Sequence, residues 1–223
     1  MPEVARTSIG GVNLQVSSSS VLNVVAPDMA RYAQFMNRAE PPPSGLDAMV
    51  SLEEGDTGVP GGMDRILDES ASWIVFSRGP ERCIVSRVVE QGLPLWSARL
   101  NTQALSVQVR VSPHFRSGEG RAINPVTYPL DLVLIMHLLA NRGGGVFHAA
   151  GVEYRGRGVL FTGKSGSGKS TLTQLLMADR NVVGLSDDRI VVRKQADSWT
   201  LWGTPWLGTA GVGANRHAPA RAL

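Results

Sequence analysis

The chain has 223 residues, of which 43% are hydrophobic and 18% are charged, so its apolar content suffices for a core and excludes a wholly disordered protein. Its 22 Lys and Arg residues against 19 Asp and Glu residues leave a formal charge of +3, and so small a surplus gives no support to nucleic-acid binding, which needs clustered cations. The single cysteine, Cys83, cannot form an internal disulfide, which favours a reducing, cytoplasmic compartment and a small buried hydrophobic role over a reactive thiol.

The N-terminal segment, residues 1–71, has the weakest structural signal. Its start lacks the charged and apolar regions of a secretory signal, so export is not expected. Residues 28–38 carry apolar side chains at helical spacing behind Asp28, which predicts one short amphipathic helix. Serine-, proline- and glycine-rich stretches predict loops around this helix. These stretches lie at residues 17–20, 41–43 and 53–62.

Residues 72–142 are predicted to form an antiparallel sheet and a buried helix. β-Branched and aromatic side chains dominate residues 73–76 and 83–89, and the step Arg78-Gly79-Pro80 between them predicts a hairpin. Apolar and polar side chains then alternate over residues 105–111, which is the period-two pattern of a strand with one solvent-exposed face.

The predicted helix of this region begins at Pro129, whose fixed φ suits the first helical position, and ends near Asn141 before three glycines. Apolar side chains occupy almost every face, so we expect other elements to enclose it. Its longest apolar run, residues 130–140, is about half of the roughly 20 residues that a membrane-spanning helix needs. We therefore expect no membrane span.

Residues 143–223 contain the most specific motif of the chain. A short strand at 146–152, a turn and a second strand at 158–162 lead into a Walker A sequence, G-x-x-x-x-G-K-[ST], and a predicted helix follows. Because strand, loop and helix occur in the order that the motif requires, nucleotide binding is expected. The residues predicted to bind ATP are Gly163, Lys164, Ser165, Gly166, Ser167, Gly168, Lys169, Ser170 and Thr171.

The residue types of this loop suit a polyphosphate. Glycines allow backbone conformations in which successive N–H groups point at phosphate oxygens, and the positive end of the helix dipole is directed at the same place. We expect Lys169 to contact the β- and γ-phosphates and Ser170 to offer its hydroxyl to Mg²⁺. ATP and Mg²⁺ are therefore the predicted cofactors.

Two adjacent carboxylates follow the predicted helix of the motif. Asp187 and Asp188 stand between the apolar segment 181–185 and a predicted strand at 190–193. Neighbouring side chains of an extended segment point in opposite directions, so one carboxylate is able to face the Mg²⁺ of the nucleotide while the other faces an attacking hydroxyl. An ordinary Asp-Asp turn on the surface is the alternative.

A histidine, His148, lies on the predicted strand ahead of the motif, followed by the small residues of the segment 149–151. A single histidine in an apolar stretch is more often a buried core residue than a catalytic group. The other histidines, His114, His137 and His217, have no acidic or cysteine partners at ligand spacing, so no zinc site is predicted.

Three segments together resemble the C-terminal catalytic domain of HPr kinase/phosphorylase, a bacterial serine kinase related to the phosphoenolpyruvate carboxykinases. They are residues 147–152, residues 158–170 and residues 186–192. The likeness covers residues 145–195, and the spacing from His148 to Lys169 fits the family. It implies an α/β (α+β) fold, in which a mixed sheet with a P-loop strand–loop–helix unit of the HPr kinase/phosphoenolpyruvate carboxykinase type follows a smaller, mainly antiparallel β region.

The resemblance also implies a role for each matched residue. Asp188 is then the general base that accepts the proton of the acceptor hydroxyl, His148 tunes it, and Asp187 and Ser170 hold Mg²⁺. The implied activity is transfer of the ATP γ-phosphate to a serine hydroxyl of a protein or peptide. Self-association into a homo-oligomer is compatible with the family, and no nucleic-acid partner is expected.

The C-terminal segments 203–206 and 215–223 resemble HPr-kinase-like proteins found beside peptide-modification genes. In that context Trp206 either borders the acceptor site or is a buried aromatic residue. Two features depart from the carbon-regulation enzyme of the family: no counterpart of its N-terminal regulatory domain is recognisable, and we expect residues 143–223 to form a kinase-like domain that is incomplete at its C-terminus.

Two other functions compete with the kinase. One is a non-catalytic nucleotide-binding regulatory module, or a truncated, inactive kinase homologue. The other is a subunit of an ATPase motor or transporter, which is disfavoured because no LSGGQ-like signature occurs and little chain follows the Walker A motif.

Overall fold

A computed structural model describes residues 4–18, 29–36, 45–63, 65–103 and 106–221 of the chain. The protein is mostly β, with 49% of its residues in strands and 11% in helices. The predicted α/β (α+β) class is therefore wrong. Most strands are joined by turns rather than by helices, so most neighbours run antiparallel, whereas α/β folds join parallel strands through helical crossovers.

The secondary structure elements follow one another in a long series of strands that three helices interrupt, counted over the described residues. The strands are β1 (Val4–Ile9), β2 (Val12–Ser18), β3 (Ala48–Glu54), β4 (Arg65–Glu69), β5 (Trp73–Arg78), β6 (Glu81–Ser86), β7 (Val89–Glu90), β8 (Leu93–Pro94), β9 (Trp96–Asn101), β10 (Ser106–Val111), β11 (Gly144–Tyr154), β12 (Arg157–Thr162), β13 (Val182–Ser186), β14 (Arg189–Gln195), β15 (Ser198–Trp202) and β16 (His217–Pro219). The helices are α1 (Met29–Tyr32), α2 (Leu130–Ala140) and α3 (Lys169–Leu176).

The chain divides into two compact units. One contains the described parts of residues 1–6, 13–27 and 38–134, and the other contains those of residues 7–12, 28–37 and 135–223. The boundary therefore falls inside α2, whereas the sequence interpretation divides the chain after residue 142. The tip of the β1–β2 hairpin belongs to the second unit.

An eight-stranded sheet forms most of the first unit, in the order β1-β2-β3-β10-β9-β6-β5-β4. The pairs β2–β3 and β3–β10 are parallel, and the pairs from β10 to β4 are antiparallel. The predicted hairpin is confirmed as β5–β6 around Gly79 and Pro80. The alternating strand is confirmed as β10, in which Val107 and Val109 are buried between more exposed polar residues.

The helix predicted from Pro129 to Asn141 is confirmed as α2, and Leu134 and Ile135 near its middle are fully buried. No helix among the described residues is both long and apolar enough to cross a membrane. Cys83 is buried as predicted, and burial raises the pKa of its thiol to about 11.

Strands occupy much of the segment 1–71, which the sequence interpretation gives mainly to loops. The predicted helix at 28–38 is described over residues 29–36, where it contains one helical turn, α1, in which Tyr32 is buried. Several residues of the sequence predictions lie outside the described residues. They are Ser19, Ser20, Asp28, Arg38, Pro41, Pro42, Pro43, Leu105, Ala222 and Leu223.

The second unit is built on a six-stranded sheet whose strand ladders are antiparallel, with one isolated parallel bridge between Gly158 and Ala220. Its order is β12-β11-β14-β15-β16, and β13 also pairs with β11. The eleven-residue strand β11 therefore has β12 along one edge and β13 followed by β14 along the other. Leu185, Ile190 and Leu201 form a buried cluster in this unit.

The tip of the β1–β2 hairpin is fastened to β14 within the second unit. Gly10 and Gly11 have φ angles of 61° and 68°, which favour glycine. Arg193 donates from Nη1 to the carbonyl oxygens of Gly10 and Gly11, at 3.2 and 2.6 Å. A Cβ atom on Gly10 would lie 2.7 Å from the Cγ atoms of Val191, so this turn has no space for a side chain.

Candidate nucleotide and phosphoryl-transfer site

The Walker A residues form the expected local structure, in which β12 ends at Thr162, an exposed loop follows, and α3 begins at Lys169. Gly166 and Gly168 have φ angles of 79° and 88°, which residues with a Cβ atom rarely adopt. A Cβ atom on Gly163 would lie 2.6 Å from the Ser167 hydroxyl oxygen. Backbone conformation therefore favours glycine at positions 166 and 168, and lack of space favours it at position 163.

The ammonium group of Lys169 lies over its own loop. Its Nζ donates to the carbonyl oxygens of Gly163 and Lys164, at 2.8 and 3.1 Å. The N–H of Ser167 also donates to the Lys164 carbonyl, at 3.1 Å. These bonds hold the loop around the ammonium group of Lys169. The side chain of Lys164 is exposed.

The first turn of α3 offers unpaired backbone donors. Its N-cap residue is Gly168, which has no side chain to accept a hydrogen bond from the first amides, and the first N–H groups of any helix lack intrahelical partners. Ser170 is half-buried and Thr171 is exposed at this end of the helix. Thr173 is buried and donates its hydroxyl to the Lys169 carbonyl at 2.9 Å.

Strand β11 brings the phosphate loop and the acidic pair to the same end of the sheet. Ala149 pairs across one edge with Thr162, the last residue before the loop. At the other edge its N–H donates to the Asp188 carbonyl oxygen at 3.0 Å. Only one strand therefore separates the backbone of Asp188 from the start of the Walker A loop.

The carboxylate of Asp188 lies between the imidazole of His148 and the guanidinium of Arg189. His148 Nε2 is 3.7 Å from Asp188 Oδ1, and Arg189 Nη1 donates to Asp188 Oδ2. The Asp188 side chain is 22% exposed and the His148 side chain 56% exposed. The alternative of a buried core histidine is thus wrong for His148, and solvent or a ligand can reach this group.

Asp187 has a different environment from its neighbour, because its side chain is 2% exposed. Oδ1 accepts hydrogen bonds from the N–H groups of Gly208 and Val212, at 2.8 and 3.2 Å. Oδ2 accepts one from Ala210 at 2.6 Å. The two carboxylates therefore face different surroundings, although both residues lie in the bend between β13 and β14 and not on an extended strand.

The loop of residues 207–212 is part of the site that sequence reasoning did not find. A Cβ atom on Gly208 would lie 2.8 Å from Asp187 Oδ2 and 3.0 Å from Asp188 Cβ, so this glycine allows the loop to approach both aspartates. Thr204 is fully buried and donates its hydroxyl to the Arg189 carbonyl at 2.6 Å. Four glycines occur within residues 203–213, and this density of glycine is the sequence signal that marks a closely packed backbone here.

The environment of Trp206 agrees with the alternative of a buried aromatic residue, since this side chain is 3% exposed.

The two predicted Mg²⁺ ligands, Ser170 and Asp187, differ in how accessible their oxygens are to a metal ion. Ser170 stands at an open helix start, whereas three amides occupy the oxygens of Asp187. Among the described residues, no group of three or more His, Cys, Asp or Glu side chains has the arrangement of a metal site.

No protein-family model and no curated protein matches the chain. An exposed loop with Lys164 and Lys169, a helix start without a side-chain cap and a partly exposed carboxylate, Asp188, lie at one end of one sheet. Such a combination suits a phosphorylated ligand next to a group that accepts a proton.

Proposed function

We propose that the protein is an ATP-dependent kinase that resembles HPr kinase/phosphorylase and phosphorylates a serine hydroxyl of a protein or peptide. One observation carries the proposal: Ala149 pairs with Thr162 on one side and binds the Asp188 carbonyl on the other. This arrangement supports a reaction in which a phosphate held by the loop lies near the Asp188 carboxylate. The proposal also assigns the protein to the cytoplasm, where ATP is available and Cys83 stays reduced.

In the proposed reaction the serine oxygen attacks the γ-phosphorus of ATP. The new O–P bond forms while the bond from the γ-phosphorus to the β,γ-bridging oxygen breaks, and ADP leaves. The serine proton passes to the Asp188 carboxylate, which His148 and Arg189 hold in position. Lys169 and the first amides of α3 stabilise negative charge on the transferred group, so catalysis depends mainly on positioning and electrostatics.

Mg²⁺ is the expected companion of the nucleotide, and it would neutralise phosphate charge. The Ser170 hydroxyl fits this role because it is a hard oxygen ligand at the open start of α3. Asp187 fits direct coordination less well, since its oxygens already accept three backbone hydrogen bonds. We propose that Asp187 supports the site by holding the loop 207–212, and that Asp188 is the carboxylate available to the reactants.

A non-catalytic nucleotide-binding module is the second candidate, and the ion pair between Arg189 and Asp188 favours it. A carboxylate engaged by a guanidinium has one oxygen fewer to accept a proton from a substrate. In this function the loop would bind nucleotide without phosphoryl transfer. Replacement of Asp188 separates the two candidates, because it should abolish transfer but leave nucleotide affinity nearly unchanged.

The experiment uses the full chain with γ-labelled ATP, Mg²⁺ and serine-containing peptides encoded beside its gene, each paired with its Ser→Ala counterpart. We expect label on the serine peptides, and a loss of at least 100-fold in rate for Asp188→Asn, the magnitude typical of a general base. Asp197→Asn is the matched control, because Asp197 is an exposed aspartate in the β14–β15 turn. Lys169→Ala should weaken ATP binding under both candidate functions.

Tight ATP binding without label on any serine peptide, and without an effect of Asp188→Asn, would contradict the kinase and favour the binding module. Loss of ATP binding in Lys169→Ala but not in Lys194→Ala, an exposed lysine on β14, would confirm the loop as the nucleotide site. If wild-type protein binds no ATP, both functions fail.

A further inference from the structure

The eight-stranded sheet of the first unit has a polar face that no part of the proposed kinase reaction uses. A cavity of about 580 Å³ opens on this face, within the range of 300–1,000 Å³ typical of small-molecule sites. Its lining comes from β2, β3, β6, β9, β10 and Met63. All of these residues belong to the first unit.

A row of polar side chains crosses the floor of the cavity from strand to strand. Ser17 pairs with Ser51 across β2 and β3, and Ser51 pairs with Gln108 across β3 and β10. Gln108 in turn pairs with Arg99 on β9. Directly paired residues share a face of the sheet, so two hydroxyls, one amide and one guanidinium line up along one direction.

The Nε atom of Arg99, at the end of this row, lacks a hydrogen-bond partner. Arg99 Nε is buried and makes no hydrogen bond, and the charge of Arg99 acts on the thiol of Cys83, its partner on β6. Arg82 also borders the cavity, and its Nε is likewise buried without a hydrogen bond. Its Nη1, however, donates to the carbonyl oxygens of Gly79 and Glu81, at 2.7 and 2.9 Å. A buried donor without an acceptor is unfavourable, so Arg99 is a ready site for an anionic acceptor.

The charge of the lining limits the ligand to a small negative charge. Among the residues that line the cavity, Arg82 and Arg99 are opposed by one carboxylate, that of Glu81, which leaves one net positive charge in the lining. The Glu53 carboxylate lies outside the lining and accepts a hydrogen bond from Gln108 Nε2 at 3.4 Å, so the second N–H of the Gln108 amide is the one that faces a ligand. A monoanion matches this balance, whereas a phosphate dianion would leave a negative charge uncompensated in the cavity. A carboxylate also fits the planar fork of a guanidinium.

Two methionines give the cavity an apolar side. Met49 is 54% exposed on β3, although it is a large hydrophobic residue, and Met63 packs against Cys83 and Val85. Flexible thioether side chains adapt to apolar groups of different shapes. The ligand should therefore combine an anionic end near Arg99 with an apolar group near Met49 or Met63.

We propose that this cavity is a binding site for a small monocarboxylate with an apolar side group, such as the C-terminal residue of a peptide. Arg99 binds the carboxylate, Gln108 and Ser51 donate to its oxygens or to a neighbouring amide, and Met49 and Met63 contact the apolar group. The site is independent of the nucleotide loop, so it exists whether or not the protein is a kinase.

The test uses wild-type protein labelled with ¹³C at the methionine methyl groups. N-acetyl-leucine is titrated as the probe, N-acetyl-leucinamide as its uncharged counterpart, and inorganic phosphate as the alternative anion. We expect N-acetyl-leucine to shift the Met49 and Met63 signals with saturation in the millimolar range. The signals of Met136 and Met177, which are exposed outside the cavity, should not move, and Met→Leu variants assign all four.

The charge dependence identifies the residue that binds the carboxylate. N-acetyl-leucinamide and phosphate should each bind about tenfold more weakly than N-acetyl-leucine, a difference typical of one charge-assisted interaction. Arg99→Gln should remove the preference for the carboxylate over the amide. Arg110→Gln is the matched control, because Arg110 lies two residues from Gln108 on β10 but does not line the cavity.

Equal shifts with N-acetyl-leucine and its amide in wild-type protein would overturn the proposal without any variant. So would the absence of shifts at Met49 and Met63, or a carboxylate preference that persists in folded Arg99→Gln. Tighter binding of phosphate than of N-acetyl-leucine would identify phosphate, and not a carboxylate, as the preferred ligand and would thus contradict the proposal. If Arg99→Gln fails to fold, the wild-type comparison of acid and amide still decides the result.

Discussion

The backbone N–H of Ala210 lies 2.6 Å from Oδ2 of Asp187 and donates a hydrogen bond to it. Gly208 and Val212 donate to the other oxygen of the same carboxylate. One buried aspartate therefore organises three alternate amides of the loop 207–212. This explains why an acidic residue occupies a position that is only 2% exposed, since buried charges require several hydrogen bonds.

Replacement of Asp187 should destabilise the protein. Asp187→Ala leaves three amides without an acceptor, and we expect it to lower the free energy of unfolding by about 3 kcal/mol. Asp187→Asn keeps one carbonyl acceptor and should lower it by about half as much. Urea denaturation followed by circular dichroism measures both, with Asp197→Ala as an exposed control. Equal stability of Asp187→Ala and the control would show that the loop bonds contribute nothing.

A methyl group at Gly208 should disturb the acidic pair. The added Cβ atom would come within 2.8 Å of Asp187 Oδ2 and 3.0 Å of Asp188 Cβ, so the loop or the carboxylates must move. We expect Gly208→Ala to reduce phosphoryl transfer at least tenfold and to leave ATP affinity nearly unchanged, since the Walker A loop is not touched. The control is Gly118→Ala, because no atom lies within 4 Å of a Cβ at Gly118. Full activity of Gly208→Ala would separate this loop from the reaction.

The buried thiol of Cys83 should make stability depend on pH above 9. Burial raises its pKa from 9.0 to about 11 in the folded protein. The unfolded chain therefore releases this proton first, so the contribution is complete below pH 9 and is lost as the pH rises towards 11. We expect a loss of about 2 kcal/mol relative to Cys83→Ala. Parallel curves for the two proteins between pH 8 and about pH 11 would contradict this prediction.

A methyl group added at the tip of the β1–β2 hairpin should lower the stability of the protein. Gly10→Ala introduces a Cβ atom at 2.7 Å from the Val191 side chain and at a φ of 61°, so we expect a loss of about 2 kcal/mol in the free energy of unfolding. Val191→Ala in the same chain should recover part of this loss, because it removes the clash but not the backbone strain. A double-mutant cycle measures the recovery. Additive effects of the two substitutions would mean that the side chains do not meet.

Local patterns in the sequence predicted individual elements well. The alternation around Val107 and Val109 and the turn at Gly79 each depend on neighbouring residues only, and they are confirmed as β10 and the β5–β6 hairpin. The fold class was wrong because it rested on the resemblance of three short segments, the Walker A motif among them, to the HPr kinase/phosphorylase domain. That motif specifies one strand, one loop and one helix, but not how the remaining strands connect.

The environments of the acidic pair depend on contacts that sequence spacing does not encode. Asp187 reaches amides more than twenty residues further along the chain, on the far side of β15 in the sequence. The exposure of His148 also depends on its partner strands. The kinase roles of Asp188 and His148 stay predictions until the transfer reaction is measured.

His148 lies on β11, and the phosphate loop follows the adjacent strand β12. The two are close in register, because His148 directly precedes Ala149, which pairs with Thr162 at the end of β12. The turn between the two strands, at Arg155 and Gly156, lies at the far end of this ladder and is exposed. Extra residues in that turn would leave the spacing between His148 and the loop intact. Two residues inserted between the turn and Thr162 would instead move the start of the loop by about 7 Å relative to His148, so strand length, and not turn length, constrains how this protein can vary.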